Sequence, residues 1–116
     1  MTFRQTVEAL AEHFRLAVAQ KDGAACASIY SDNAIKVNPG GQVVEGRDAI
    51  GFSFQELFDT GEFIVTGIDV RDCRCDGGIG FAMLRMNTIE QPFYVMLGLE
   101  RNGRGDWSIA QEVIGG

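Results

Sequence analysis

The sequence predicts an α+β domain in which three N-terminal helices pack on one face of a strongly curved antiparallel sheet. Two observations carry this. Apolar residues in the first half recur at three- and four-residue steps, whereas from Glu62 onward β-branched and aromatic runs alternate with short turn clusters. The connections between those runs are too short for parallel crossovers, so the strands read as an antiparallel meander with the helices on one side. The length of 116 residues fits one domain spanning 1–116, and 46% apolar content supplies a core that needs no disulfide or metal staple.

The first helix opens at Thr2, with Gln5 in capping-box spacing. Phe3, Val7, Leu10, Phe14, Ala17 and Val18 form its apolar stripe, and Arg4, Glu8, Glu12 and Arg15 lie opposite. Asp22 caps a short second helix through Ala24, Ala25, Cys26, Ile29 and Tyr30, and Ser31-Asp32-Asn33 supplies turn chemistry. A brief strand over 34–37 meets the turn Asn38-Pro39-Gly40-Gly41, from which Val43-Val44 returns. The third helix covers 47–59, buries Ile50, Phe54, Leu57 and Phe58, and ends at Gly61. Four long strands follow over 63–75, 79–89, 93–101 and 107–114.

Turn lengths set which side chains share a face. A two-residue turn at Asp76-Gly77 would aim Asp69 and Arg71 at the helices. A three-residue loop with a glycine bulge instead pairs Ile68 and Val70 with Leu84 and Met86 there, and this register is expected because burying unmatched charge costs several kcal/mol. An even-length turn over 102–105 puts Val95, Leu97 and Leu99 beside Ser108, Ala110 and Glu112. Tyr94 and Met96 make the opposite face apolar as well, and a second cover is needed there. The simplest cover is the same sheet of a second copy, which predicts a homodimer through the outer sheet face.

Ten Lys and Arg against sixteen Asp and Glu give a net charge of −6. Such a chain repels phosphate backbones and anionic lipid, so neither nucleic acid nor membrane is expected as a partner. The opening residues carry no export pattern and the three cysteines are an odd count, which together predict free thiols and a cytoplasmic location. Cys73-Arg74-Cys75 lacks the second ligand pair of a structural zinc site, and Gly40-Gly41 and Gly77-Gly78 lack the residues of a phosphate loop. No metal and no cofactor is expected.

The order of elements and several local motifs resemble the nuclear transport factor 2-like superfamily, in the branch of SnoaL-like polyketide cyclases and ketosteroid isomerases. The residues that carry the resemblance are Ile29-Tyr30-Ser31-Asp32-Asn33-Ala34, the turn Asn38-Pro39-Gly40-Gly41, Glu45-Gly46-Arg47-Asp48-Ala49-Ile50 and Trp107-Ser108-Ile109. The resemblance implies a cystatin-like half-barrel whose cone-shaped pocket holds a small apolar organic ligand. In ketosteroid isomerases a carboxylate base works with a tyrosine and a protonated aspartate. Aligned through Asp32 and Pro39, those positions hold Asn38, Phe14 and Leu97, so isomerisation by that route is not expected.

Glu112 is then the candidate acid or base, since a carboxyl walled by apolar groups binds its proton more tightly. Tyr30 and Asn38 are candidates to orient a ligand through a phenol and an amide. Phe14, Phe54, Phe58, Leu97 and Ala110 are candidates for the apolar wall. His13 has no identified partner and reads as structural, and Cys26 reads as a small core residue. The functional expectation is a small-molecule-binding domain with an apolar pocket, and a cofactor-independent proton-transfer enzyme of the isomerase, cyclase or dehydratase kind if it is catalytic. The alternative is a non-catalytic ligand-binding or association module.

Overall fold

The computed structural model describes residues 1–115. Its elements are α1 (Phe3–Ala19), α2 (Gly23–Ala27), β1 (Tyr30–Val37), β2 (Val43–Glu45), α3 (Arg47–Thr60), β3 (Val65–Asp76), β4 (Ile79–Thr88), β5 (Phe93–Arg101) and β6 (Trp107–Gly115). Helices pack on a six-stranded sheet of order β2-β1-β6-β5-β4-β3, as the α+β reading requires. The antiparallel meander of β3 to β6 and the capping box of Thr2 and Gln5 form as expected.

Three features depart from the sequence reading. The helices do not all precede the strands, because β1 and β2 stand between α2 and α3. The sheet is mixed and not wholly antiparallel: β1 pairs parallel with β6. That pairing joins strands separated by most of the chain, so no turn length reveals it. The second helix stops at Ala27, and Tyr30 begins an eight-residue strand in which Ser31, Asp32 and Asn33 belong to the sheet. Between Tyr30 and Ile35 the register against β6 shifts, which is where the turn-like residues are accommodated.

Bulges correct two further expectations. Ile68 and Val70 do pair with Met86 and Leu84, but the hairpin closes through Gly77-Gly78 with Asp76 opposite Ile79. The face is restored by an extra residue between Val70 and Asp72, so a bulge inside β3 does what a longer loop was expected to do. In β6, Gly98 pairs with Gln111 and Leu99 with Ile109, which leaves Ala110 as the extra residue. Ile109 takes the buried place expected of Ala110. Each bulge sharpens the local twist and helps bend the sheet around α1 and α3.

The motifs that carried the resemblance tie α3 to β1. Arg47 donates from Nε to the Tyr30 carbonyl at 2.9 Å and pairs through Nη1 with Asp32 Oδ1 at 2.6 Å. The Gly46 amide donates to the Ala34 carbonyl at 2.8 Å. Gly46 itself sits at φ +92°, a backbone conformation open mainly to glycine, and it turns the chain from β2 into α3. These contacts fix the backbone that presents Tyr30 and bring Phe54 over the sheet.

Candidate functional site

On the inner face of the sheet one row of residues crosses β2, β1, β6, β5 and β4: Val44, Lys36, Glu112, Leu97 and Ala82. Lys36 and Glu112 are direct partners in the parallel β1–β6 ladder and stand side by side on this otherwise apolar surface. Lys36 is 5% exposed and Glu112 6% exposed. Charges are rarely buried to this degree unless they are matched, because desolvation costs several kcal/mol per ion.

Each charged group has its own hydrogen-bond partner. The Tyr30 hydroxyl donates to Glu112 Oε1, and Lys36 Nζ donates to Asn38 Oδ1. The Asn38 amide in turn donates from Nδ2 to Gln42 Oε1 at 3.2 Å, so the tight turn that follows β1 holds the lysine's acceptor in place. Among the described residues no buried side-chain nitrogen or oxygen is without a partner.

Phe54 of α3 is the lid over this group. The Lys36 ammonium lies 5.1 Å from its ring centroid, a cation–π distance. The same ring meets Phe14 edge to face at 5.4 Å, stands 6.3 Å from Tyr30 and stacks on Phe58 at 6.3 Å. The four rings thus form a continuous aromatic layer between the helices and the polar group.

The expected cone-shaped hollow is mostly filled by the protein's own side chains. What remains inside is a cavity of about 40 Å³, walled by residues that include Val7, Phe14, Tyr30, Leu97, Ile109 and Glu112. It has room for a water or two but not for an organic ligand. A larger cleft of about 430 Å³ lies on the other side of Phe54 and is lined by Lys36, Asn38, Phe54, Leu57, Phe63 and Phe93 among others. Its size and apolar walls suit a small organic molecule.

The sequence-derived candidates therefore divide between two spaces. Glu112, Tyr30, Phe14 and Leu97 border the inner cavity, whereas Asn38 and Phe54 border the cleft. Phe58 is buried behind Phe54 and lines neither. Ala110, on the β6 bulge, lines neither as well, which corrects its expected place in the wall. His13 donates from Nε2 to the Ala25 carbonyl at 3.0 Å, with Ser28 Oγ also 3.0 Å from that nitrogen, and so ties α1 to α2. The Cys26 thiol is pushed up to about 12 by burial and by the nearby Asp22 charge, which leaves it a core group and no nucleophile.

The residue missing from the sequence reading is Lys36. Its signal was present: in a strand over 34–37, Lys36 shares a face with Ala34, which is fully buried. It is one of only two lysines in the chain, the other being the exposed Lys21.

Burial acts on the two charges in opposite senses. Loss of water raises the Glu112 carboxyl above its ordinary value, against the opposing pull of Lys36 and the Tyr30 hydrogen bond. Loss of water lowers the Lys36 ammonium, with Glu112 opposing. Their proton affinities are drawn toward each other. Tyr30 is held far into its protonated range by burial and then by the Glu112 charge, so it remains a donor.

Residues 7–114 match the SnoaL-like domain family. The chain belongs to the SnoaL-like domain family. No curated protein matches its sequence. Among solved structures, a domain of unknown function with a cystatin-like fold from Nostoc punctiforme superposes with a TM-score of 0.87 at 16% identity, covering 98% of this chain and 78% of that one. A ketosteroid isomerase-like protein from Erwinia carotovora atroseptica gives 0.74 at 17% identity, covering 95% and 92%. A de novo designed protein with a curved β-sheet gives 0.70 at 20% identity, covering 95% and 99%. At these identities the likeness is one of fold. In this SnoaL-like domain Phe14 and Leu97 share the inner cavity with Tyr30 and Glu112. Glu112 stands on the strand next to Leu97, as its direct cross-strand partner.

The raised Glu112 carboxyl yields a stability prediction with a definite sign. A carboxyl that binds its proton more tightly when folded favours folding fully below its ordinary value of 4.5, and that preference is lost as pH rises from there through the folded value. Glu112→Gln keeps an acceptor for Tyr30 but cannot ionise. Relative to wild type it is expected to gain stability as pH rises from about 4 to about 7, by about 1.4 kcal/mol for each tenfold increase in proton affinity that burial causes. Urea unfolding at stepped pH measures this, and a difference that stays flat across the window would mean that Glu112 is solvated.

Proposed function

We propose that this SnoaL-like domain binds a small, largely apolar organic molecule in the Phe54 cleft and transfers a proton on it without a cofactor. The observation that carries the reading is the buried Lys36–Glu112 pair, hydrogen-bonded at both ends and opening to an apolar cleft only on the lysine side. A charged pair placed on an apolar surface costs stability, and perturbed pairs of this kind cluster where proteins do chemistry.

The division of labour follows from which group meets which space. The ligand's apolar body packs on Phe54, Leu57, Phe63 and Phe93, and its polar end meets Lys36 and the Asn38 amide. Glu112 lies behind Lys36 and serves as its proton partner, so Lys36 is the point of contact and Glu112 acts through it. Tyr30 and Asn38 hold the two ends of the pair in register, a positioning role like the one expected of them for the ligand. The same proposal places the protein in the cytoplasm, where its three free cysteines would stay reduced.

A test uses β-tetralone, a small apolar ketone with acidic protons beside its carbonyl. Wild-type protein is expected to speed deuterium incorporation at that carbon above the buffer rate, as followed by NMR. Glu112→Gln should lower the enhancement by about 10²- to 10⁴-fold, the usual contribution of one general acid or base. Equal rates for wild type, variant and buffer would overturn the reading and favour a non-catalytic module.

An association role has its own support on the outer face. Met83, Met96, Val113, Val37 and Val43 are successive cross-strand partners, and they form an apolar row over five strands. Met96, Val113 and Val43 are about half exposed, as is neighbouring Tyr94. A straight apolar row is complementary to itself under a two-fold rotation, so the reading commits to a second copy of this chain as its cover. Sedimentation at micromolar concentration is expected to give a dimer for wild type and a monomer for Met96→Glu. A monomeric wild type would remove this part of the proposal.

A further inference from the structure

We propose that Lys36 is a nucleophilic amine that forms a reversible covalent imine with an aldehyde or ketone held in the Phe54 cleft. This rests on the proton-transfer reading above and deepens it by naming the ligand class and the bond. Three independent features of the site support it. Lys36 is the basic residue of the cleft lining, and its Nζ bonds Asn38, which lines the same cleft, although the residue is buried in the sheet. Its one hydrogen-bond partner is an amide oxygen, which accepts equally from an ammonium or a neutral amine and leaves the nitrogen lone pair unused. Among the described residues Lys36 makes no ion pair within 4.0 Å, although Glu112 is its neighbour in the ladder. A lysine kept only to neutralise Glu112 would close onto it directly.

The remaining surroundings favour the neutral amine. The Phe54 ring covers the ammonium, and burial makes it easier to deprotonate, as is usual for lysines that attack carbonyl carbon. The charged and titratable groups at hand are Glu112 and Tyr30, whereas α3 presents Phe54, Leu57 and Ser53 to the cleft.

The step balances without any outside reagent. Lys36 passes one proton through a bridging water to the Glu112 carboxylate, since the two groups make no contact within 4.0 Å, and becomes a free amine. Its lone pair forms the N–C bond as the carbonyl π pair moves onto oxygen, and the extra proton on nitrogen moves to that oxygen to give a carbinolamine. The hydroxyl takes the proton returned by Glu112 and leaves as water while the nitrogen lone pair closes the C=N bond. The products are one water and a protonated imine beside the Glu112 carboxylate, and nothing is oxidised or reduced. The iminium withdraws electrons from the adjacent C–H bond, which is the bond that the proposed proton transfer breaks.

The test is reductive trapping on the whole protein with benzaldehyde and cyanoborohydride near pH 7, followed by peptide mass mapping. The chain provides its own control, because its amines are Lys36, Lys21 and the Met1 amino group. Adduct at Lys36 is expected to form at least about tenfold faster than at Lys21, and Glu112→Gln should narrow that ratio. Lys36→Arg, whose guanidinium keeps a positive charge, should abolish the fast adduct. Adduct confined to Lys21 and Met1 would overturn the inference. If β-tetralone exchange still depends on Glu112 while Lys36 goes unlabelled, the covalent step fails and the proton-transfer reading stands. If Lys36 labels fast and exchange is absent, the imine stands and the proton-transfer reading fails.

Discussion

The parallel pairing of β1 with β6 sets two opposite charges side by side in a largely desolvated place. Everything distinctive about the site follows from that constraint. Lys36 and Glu112 are ladder neighbours, so neither can turn to solvent without breaking the register that also buries Ala34 and Leu97. Their cost is offset by the hydrogen bonds of Tyr30 and Asn38 and by the ring of Phe54. Arg47 and Gly46 matter at one remove, because they hold α3 and β1 in the relation that brings Phe54 over the lysine.

The aromatic layer explains why this fold offers a cleft and not a deep cone. Phe14 borders the interior and packs edge to face on Phe54. With Phe58 stacked behind, the rings close off the interior down to a space for a water or two. The usable volume is displaced to the mouth, where Phe63, Phe93 and Leu57 provide apolar walls. The polar group is reached from its lysine end.

How much of this was legible in the residues depends on range. Periodicity locates all three helices and the four long strands, but Glu112 stands beside Leu97 for a reason other than the expected even turn: Arg101 pairs with Trp107 across an odd loop, and the bulge at Ala110 restores the parity. The same bulge takes Ala110 off the face that an even turn gives it. Ser31, Asp32 and Asn33 are good turn formers, so local pattern places Tyr30 at a helix end, and the irregular pairing with β6 puts all four in a strand. Lys36 carries no local mark of burial, because lysine on a short strand is normally a surface residue. Its partner is 76 positions away, on a strand whose parallel pairing no local signal announces. The site residues contributed by local pattern were found, and those created by long-range pairing were not.

The account stands on Lys36 and Glu112 sharing a dry environment, and NMR can read both groups directly. With ¹³C label at the Glu112 carboxyl and the Lys36 side chain, a pH titration should show the carboxyl titrating above its ordinary 4.5 and the amine below its ordinary 10.5, each curve inflecting when the other ionises. Two independent curves at the ordinary values would contradict it.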